Sequence, residues 1–99
     1  MSHTPPRISS LSREYLIVFV RGARGVEPVH MAFVRAEEPV EDDWVPAEWA
    51  RVTPQGADAQ VLIGPGGAIQ LEDGTYQVWV RVTTALEVPV LHAGQIVII

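Results

Sequence analysis

The chain contains no cysteine, no lysine and no asparagine in its 99 residues. Without cysteine there can be no disulfide, no thiolate metal ligand and no cysteine nucleophile. Without lysine there is no Schiff-base chemistry and no phosphate-loop lysine; the seven basic residues are all arginines. No run approaches the roughly 18 apolar residues that a membrane-spanning helix requires. The opening stretch MSHTPPRISSLS has no apolar core and does not read as a secretory signal. Basic charge is also scarce. A formal charge of −5 repels a phosphate backbone, so nucleic acid is not an expected partner. What is present suits a folded domain: 47% hydrophobic and 19% charged residues, in a length that makes one domain.

Residues 1–12 are polar, with Pro5-Pro6, and cannot form a core element alone. They read as a flexible N-terminal arm, either a free tail or a segment that orders on a neighbouring subunit, ahead of one domain over 13–99. Within that domain short apolar runs alternate with turn residues. Strands are expected at 13–21 (REYLIVFVR), 29–35, 49–53, 59–63 and 74–84, with a short edge piece at 68–71 and a terminal strand at 95–99. No stretch shows a helical period, so a mixed α+β fold is the weaker option. About seven strands indicate an all-β antiparallel sandwich.

The segment LEDGTYQVWVRV, residues 71–82, carries this expectation. Tyr76, Val78, Val80 and Val82 fall on one face, and Gln77, Trp79, Arg81 and Thr83 on the other, because strand side chains alternate. The spacing Leu71, Gly74, Tyr76, Val78 is similar to the tyrosine corner of immunoglobulin-like and fibronectin-III-like domains. It would let an aromatic ring enter the core while its hydroxyl bonds a nearby backbone group. Trp49 falls where a strand-C core tryptophan would lie. Tyr76, Trp49 and Gly74 are the expected structural residues.

Few residues suggest chemistry. Glu37, Glu38, Glu41, Asp42 and Asp43 form an acidic cluster, but without the spacing or the glycine of a calcium loop, so a solvated loop is favoured. His3, His30 and His92 are scattered over three elements. Ser2, Ser9, Ser10 and Ser12 all sit in the arm, where no nucleophile is held against a base. Gly64-Pro65-Gly66-Gly67 lacks the Lys-Ser/Thr ending of a phosphate loop and reads as a turn. No catalytic residue, metal ligand or cofactor is assigned.

The surface is more informative. The first strand and the terminal Ile96-Val97-Ile98-Ile99 are apolar on both faces, whereas a two-layer sandwich buries only one face of each sheet. If these two strands pair beside the Tyr76 strand, then Tyr15, Ile17, Phe19, Trp79, Arg81 and Val97 form one apolar interface. The competing possibility is that the arm or a long loop covers the patch.

DDWVPAEW (42–49), VLIGPGGAIQLEDGTYQVWVRVT (61–83) and EVPVLHAGQIVI (87–98) resemble a group of small proteins of tailed phages and prophages of high-GC, actinobacterial-type hosts. The resemblance implies a virion structural role in capsid decoration, the head–tail junction or the tail. The implied partners are capsid or tail subunits and the chain itself in a symmetric assembly, with no membrane and no nucleic acid. The alternative is a free-standing adhesion or carbohydrate-binding module that stacks Trp44, Trp49 or Trp79 on a sugar. An enzyme, such as a small hydrolase, is the third and weakest class.

Overall fold

The computed structural model describes residues 5–35 and 38–99. Eight strands run in chain order: β1 Arg7–Ile8, β2 Glu14–Arg21, β3 Val29–Val34, β4 Trp44–Pro46, β5 Glu48–Thr53, β6 Gly56–Ile63, β7 Gly74–Val82 and β8 Val90–Ile98. A 3-10 turn, Glu41–Asp43, precedes β4. The strands form two sheets, one of five in the order β1-β8-β7-β3-β4 and one of three in the order β2-β6-β5. The fold is therefore all-β, a sandwich of two unequal layers.

Alternation places the core. Val29, Met31 and Phe33 of β3, Tyr76, Val78, Val80 and Val82 of β7, and Ile96 and Ile98 of β8 point inward from the larger sheet. Ala57, Ala59, Val61 and Ile63 of β6 meet them from the smaller one. Each large aliphatic side chain removed from water in this way contributes roughly 1.5–3 kcal/mol. The smaller sheet presents alanine at two of its four central positions. The two layers can approach closely there because the bulk comes from the opposite side, where Met31 is fully buried.

The tyrosine corner forms as the spacing predicts. Tyr76 Oη donates to the Glu72 carbonyl at 2.8 Å and accepts from Arg35 Nη2 at 3.1 Å. The Arg35 guanidinium lies over the Tyr76 ring, 5.0 Å from its centroid. Gly74, at φ 147°, leaves room for that guanidinium, since a Cβ there would collide with Arg35 Nη1.

Several sequence expectations are corrected. The first long strand does not pair with the last: β2 belongs to the smaller sheet and, among the described residues, pairs only with β6. The neighbour of β8 is instead Arg7–Ile8 of the segment read as an arm, which runs parallel to it with Arg7 opposite Val97 and Ile8 opposite Ile98. The terminal strand begins at Val90 rather than residue 95, directly after Pro89, and carries a bulge opposite Val78/Trp79. Residues 68–71 make only an isolated bridge, Ile63 to Ile69. Trp49 sits on β5 at the edge of the smaller sheet, half-buried against the core. Its Nε1 donates to the Glu27 carbonyl at 2.7 Å, which ties β5 to the β2–β3 turn.

Candidate interaction surface

The six residues expected to share one interface lie on opposite outer faces. Tyr15, Ile17 and Phe19 are on β2 in the smaller sheet; Trp79, Arg81 and Val97 are on β7 and β8 in the larger one. The sandwich core separates the two groups, because β2 and β8 belong to different layers.

On the larger sheet the outward residues cover one another. Register aligns Trp44, Ala32, Trp79 and His92 across four strands. The Trp79 ring stacks obliquely on His92 at 4.9 Å between centroids, and His92 Nε2 meets Gln77 Oε1 at 2.7 Å. Ala32, between the two indoles, has no exposed surface. Arg81 lies over Trp44 at 4.7 Å and pairs with Glu41 Oε2 at 3.0 Å, leaving its side chain 18% exposed. Val97 is half-buried, flanked by Thr75 and Arg7. Trp79 Nε1 and His30 Nδ1 are buried with no hydrogen-bond partner among the described residues. A shallow pocket of about 340 Å³ remains beside this cluster, lined by Glu38, Pro39, Trp44, Trp79, Arg81 and Val90.

On the smaller sheet the outward residues of β2 stay uncovered. Tyr15 is 50%, Ile17 53% and Phe19 44% exposed. Next to them the outer face turns polar: Gln60 bonds Glu48 at 2.9 Å and Arg51 pairs with Asp58 at 3.3 Å. The apolar stripe therefore runs along β2, with Leu62 of β6 beside Tyr15, and β2 is a sheet edge. Proteins usually protect such edges with proline, bulges, charge or short length, because free N–H and C=O groups recruit other strands. The other edges follow this rule. β1 has two residues, β4 has three and ends in Pro46, and β5 carries a bulge between Trp49 and Val52 with Glu48 and Arg51 beside it. β2 has eight residues, no proline and an unbroken register with β6.

A second exposed apolar group escaped the sequence reading. Leu86, Val88, Val90 and Leu91 crowd the β7–β8 connection and the start of β8. The valines of EVPVL were the available signal, but Pro89 directed attention to the end of a ladder rather than to its surface.

Few groups suggest catalysis. Among the described residues no three His, Cys, Asp or Glu gather where they could hold a metal ion. Ser2, His3 and Glu37 lie outside the described residues. Within the acidic segment, Asp43 Oδ2 accepts from the Val40 N–H at 2.8 Å and Glu41 is engaged with Arg81, so two of its carboxylates serve local structure. Among the described residues Glu27 is the one group with a displaced titration. Desolvation opposes its charge, but backbone N–H groups, including those of Arg24 and Val26, converge on the carboxylate and together hold it below the usual range. It organises the β2–β3 turn that receives the Trp49 N–H. Compared with known proteins, the chain matches no family model and no curated relative.

Proposed function

We propose that the chain is a non-enzymatic structural subunit that works by protein–protein assembly, in the virion of a tailed phage as the sequence resemblance implies. The observation that carries this reading is the stripe Tyr15, Ile17, Phe19 on the unprotected edge of β2. A solvated domain gains nothing from half-exposed aromatics on a long edge that is bare among the described residues, whereas a subunit gains an adhesive strand. We infer further that the sandwich is immunoglobulin-like. The Tyr76 corner and the parallel docking of β1 on β8 beside β7 support that assignment. The interface moves from the mixed patch expected from sequence to β2 alone, since Trp79 and Arg81 are engaged with their own neighbours.

Cofractionation tests the reading. The protein, tagged at its C-terminus, is expected to sediment with purified particles of its phage. Its absence from the particle would end the virion assignment. The pocket between Trp44 and Trp79 favours a second reading, a carbohydrate-binding module. Against it, Arg81 already occupies a face of the Trp44 ring, and the Trp49 indole is committed to Glu27. Tryptophan fluorescence that shifts on adding a neutral glycan would favour this second reading; an unchanged spectrum removes it.

A further inference from the structure

The edge of β2 also shows what kind of strand it can receive. Gly22 N–H donates to the Gln55 carbonyl at 2.8 Å, one step beyond the last β2–β6 pair, Arg21 with Gly56. In an antiparallel ladder alternate residues turn their N–H and C=O to opposite sides. The even-numbered residues of β2 therefore bond β6, and Tyr15, Ile17, Phe19 and Arg21 turn their backbone groups to the open edge. The inward side chains at this edge are incompletely covered as well. Leu16 and Val18 face the core yet are only half-buried, while Val20 farther along is buried. Beneath them a groove of about 450 Å³ opens between the two sheets, lined by Leu16, Val18, Val78 and Ile96, with Pro5 and Pro6 at one side. An added strand would complete the ladder, flank the outward stripe with its own side chains and place its inward side chains beside this groove.

We propose that the strand added is β2 of a second copy, antiparallel about a two-fold axis, so that two three-stranded sheets become one of six strands. This rests on the assembly reading and names its partner. The stripe complements itself when two copies run antiparallel: its apolar centre meets the same centre of the partner, and Arg21 at one end meets Tyr15 at the other. Charge selects the register. An axis through Ile17 would set Arg13 against the partner's Arg21. An axis through Val18 avoids that and uses all four free residues. Ile17 then faces the partner's Phe19, and Tyr15 faces the partner's Arg21, whose guanidinium can lie on the phenol ring. One edge per copy is a small contact, so the isolated pair is a weak, concentration-dependent dimer.

Sedimentation of the full chain over a range of concentrations tests this, with two variants. The wild type is expected to pass from monomer to dimer. Ile17→Lys is expected to raise the dimer dissociation constant by at least about tenfold. Because that side chain is exposed, the circular dichroism spectrum should be unchanged. Val18→Cys examines the register in a chain that otherwise lacks cysteine. Directly opposed residues of a non-hydrogen-bonded pair have Cα atoms about 4.5 Å apart, within disulfide range. Mild oxidation should therefore give a covalent dimer from Val18→Cys but not from Leu86→Cys, which is 96% exposed on the far connection. A wild type that stays monomeric up to about 1 mM overturns the proposal. So does a dimer that survives Ile17→Lys, or one that Val18→Cys fails to capture. The two readings fail separately. A monomer that still cofractionates with the particle refutes the self-pairing alone; a dimer absent from the particle refutes the virion role alone.

Discussion

Removing a single oxygen atom tests the account of how β7 enters the core. In Tyr76→Phe the ring stays in place, 6% exposed in the wild type, and only the hydroxyl is lost. That hydroxyl donates to the Glu72 carbonyl at 2.8 Å and accepts from Arg35 Nη2 at 3.1 Å. A typical intramolecular hydrogen bond contributes about 0.5–1.5 kcal/mol net, and more is lost when the abandoned partner remains buried. Here both partners reach water. Glu72 is exposed, and Arg35 retains the Asp73 carbonyl at 3.2 Å. The cost should therefore be about 1 kcal/mol, or a fall of roughly 5 °C in melting temperature for a domain of this size. Thermal unfolding followed by circular dichroism measures it. A double-mutant cycle with Arg35→Ala separates the two bonds and should give a coupling of about 0.5 kcal/mol or more. If Tyr76→Phe melts within about 1 °C of the wild type, the hydroxyl contributes no net stability and the corner acts through its ring alone.

Other substitutions address the remaining parts of the argument. Trp79→Ser uncovers Ala32 and removes the stack on His92, so it should cost about 1–3 kcal/mol in chemical denaturation, below the full value for a completely buried tryptophan. An unchanged midpoint would restore Trp79 to the list of free surface residues. Gly74→Ala combines a φ of 147° with a collision against the Arg35 guanidinium and should lose about 1–3 kcal/mol. Part of that loss should disappear in an Arg35→Ala background, and an equal loss in both backgrounds would locate the strain in the backbone alone. The carboxyl of Glu27 is held low in the folded state, so the stability it contributes is present above its unfolded pKa and is lost as pH falls through the folded value. Glu27→Gln should therefore melt below the wild type at neutral pH and converge with it in acid; a gap independent of pH would contradict the backbone cradle.

Much of the fold was legible because local alternation and burial agree. The inward set Tyr76, Val78, Val80, Val82 and the set Val29, Met31, Phe33 were readable from spacing, and all seven are buried. The tyrosine corner was legible for the same reason: Glu72, Gly74 and Tyr76 are neighbours in the chain, so their contact needs no long-range information. Arg35 could not be found in this way. It reaches Tyr76 from 41 residues away, through the pairing of β3 with β7.

The interface shows where such reading stops. A run such as YLIVFV is apolar on both faces whichever sheet receives it, so the sequence alone determined that β2 would leave one apolar face outside a two-layer sandwich. It did not determine their company. Strand order is set by which edges meet across the whole chain, and the tertiary structure put β2 and β8 in different layers. That separation divided the expected patch. It covered Trp79 and Arg81 with His92, Trp44 and Glu41, and it left Tyr15, Ile17 and Phe19 on an open edge. The physical reason is that side-chain alternation is a property of two or three consecutive residues, whereas an unpaired edge is a property of the sheet.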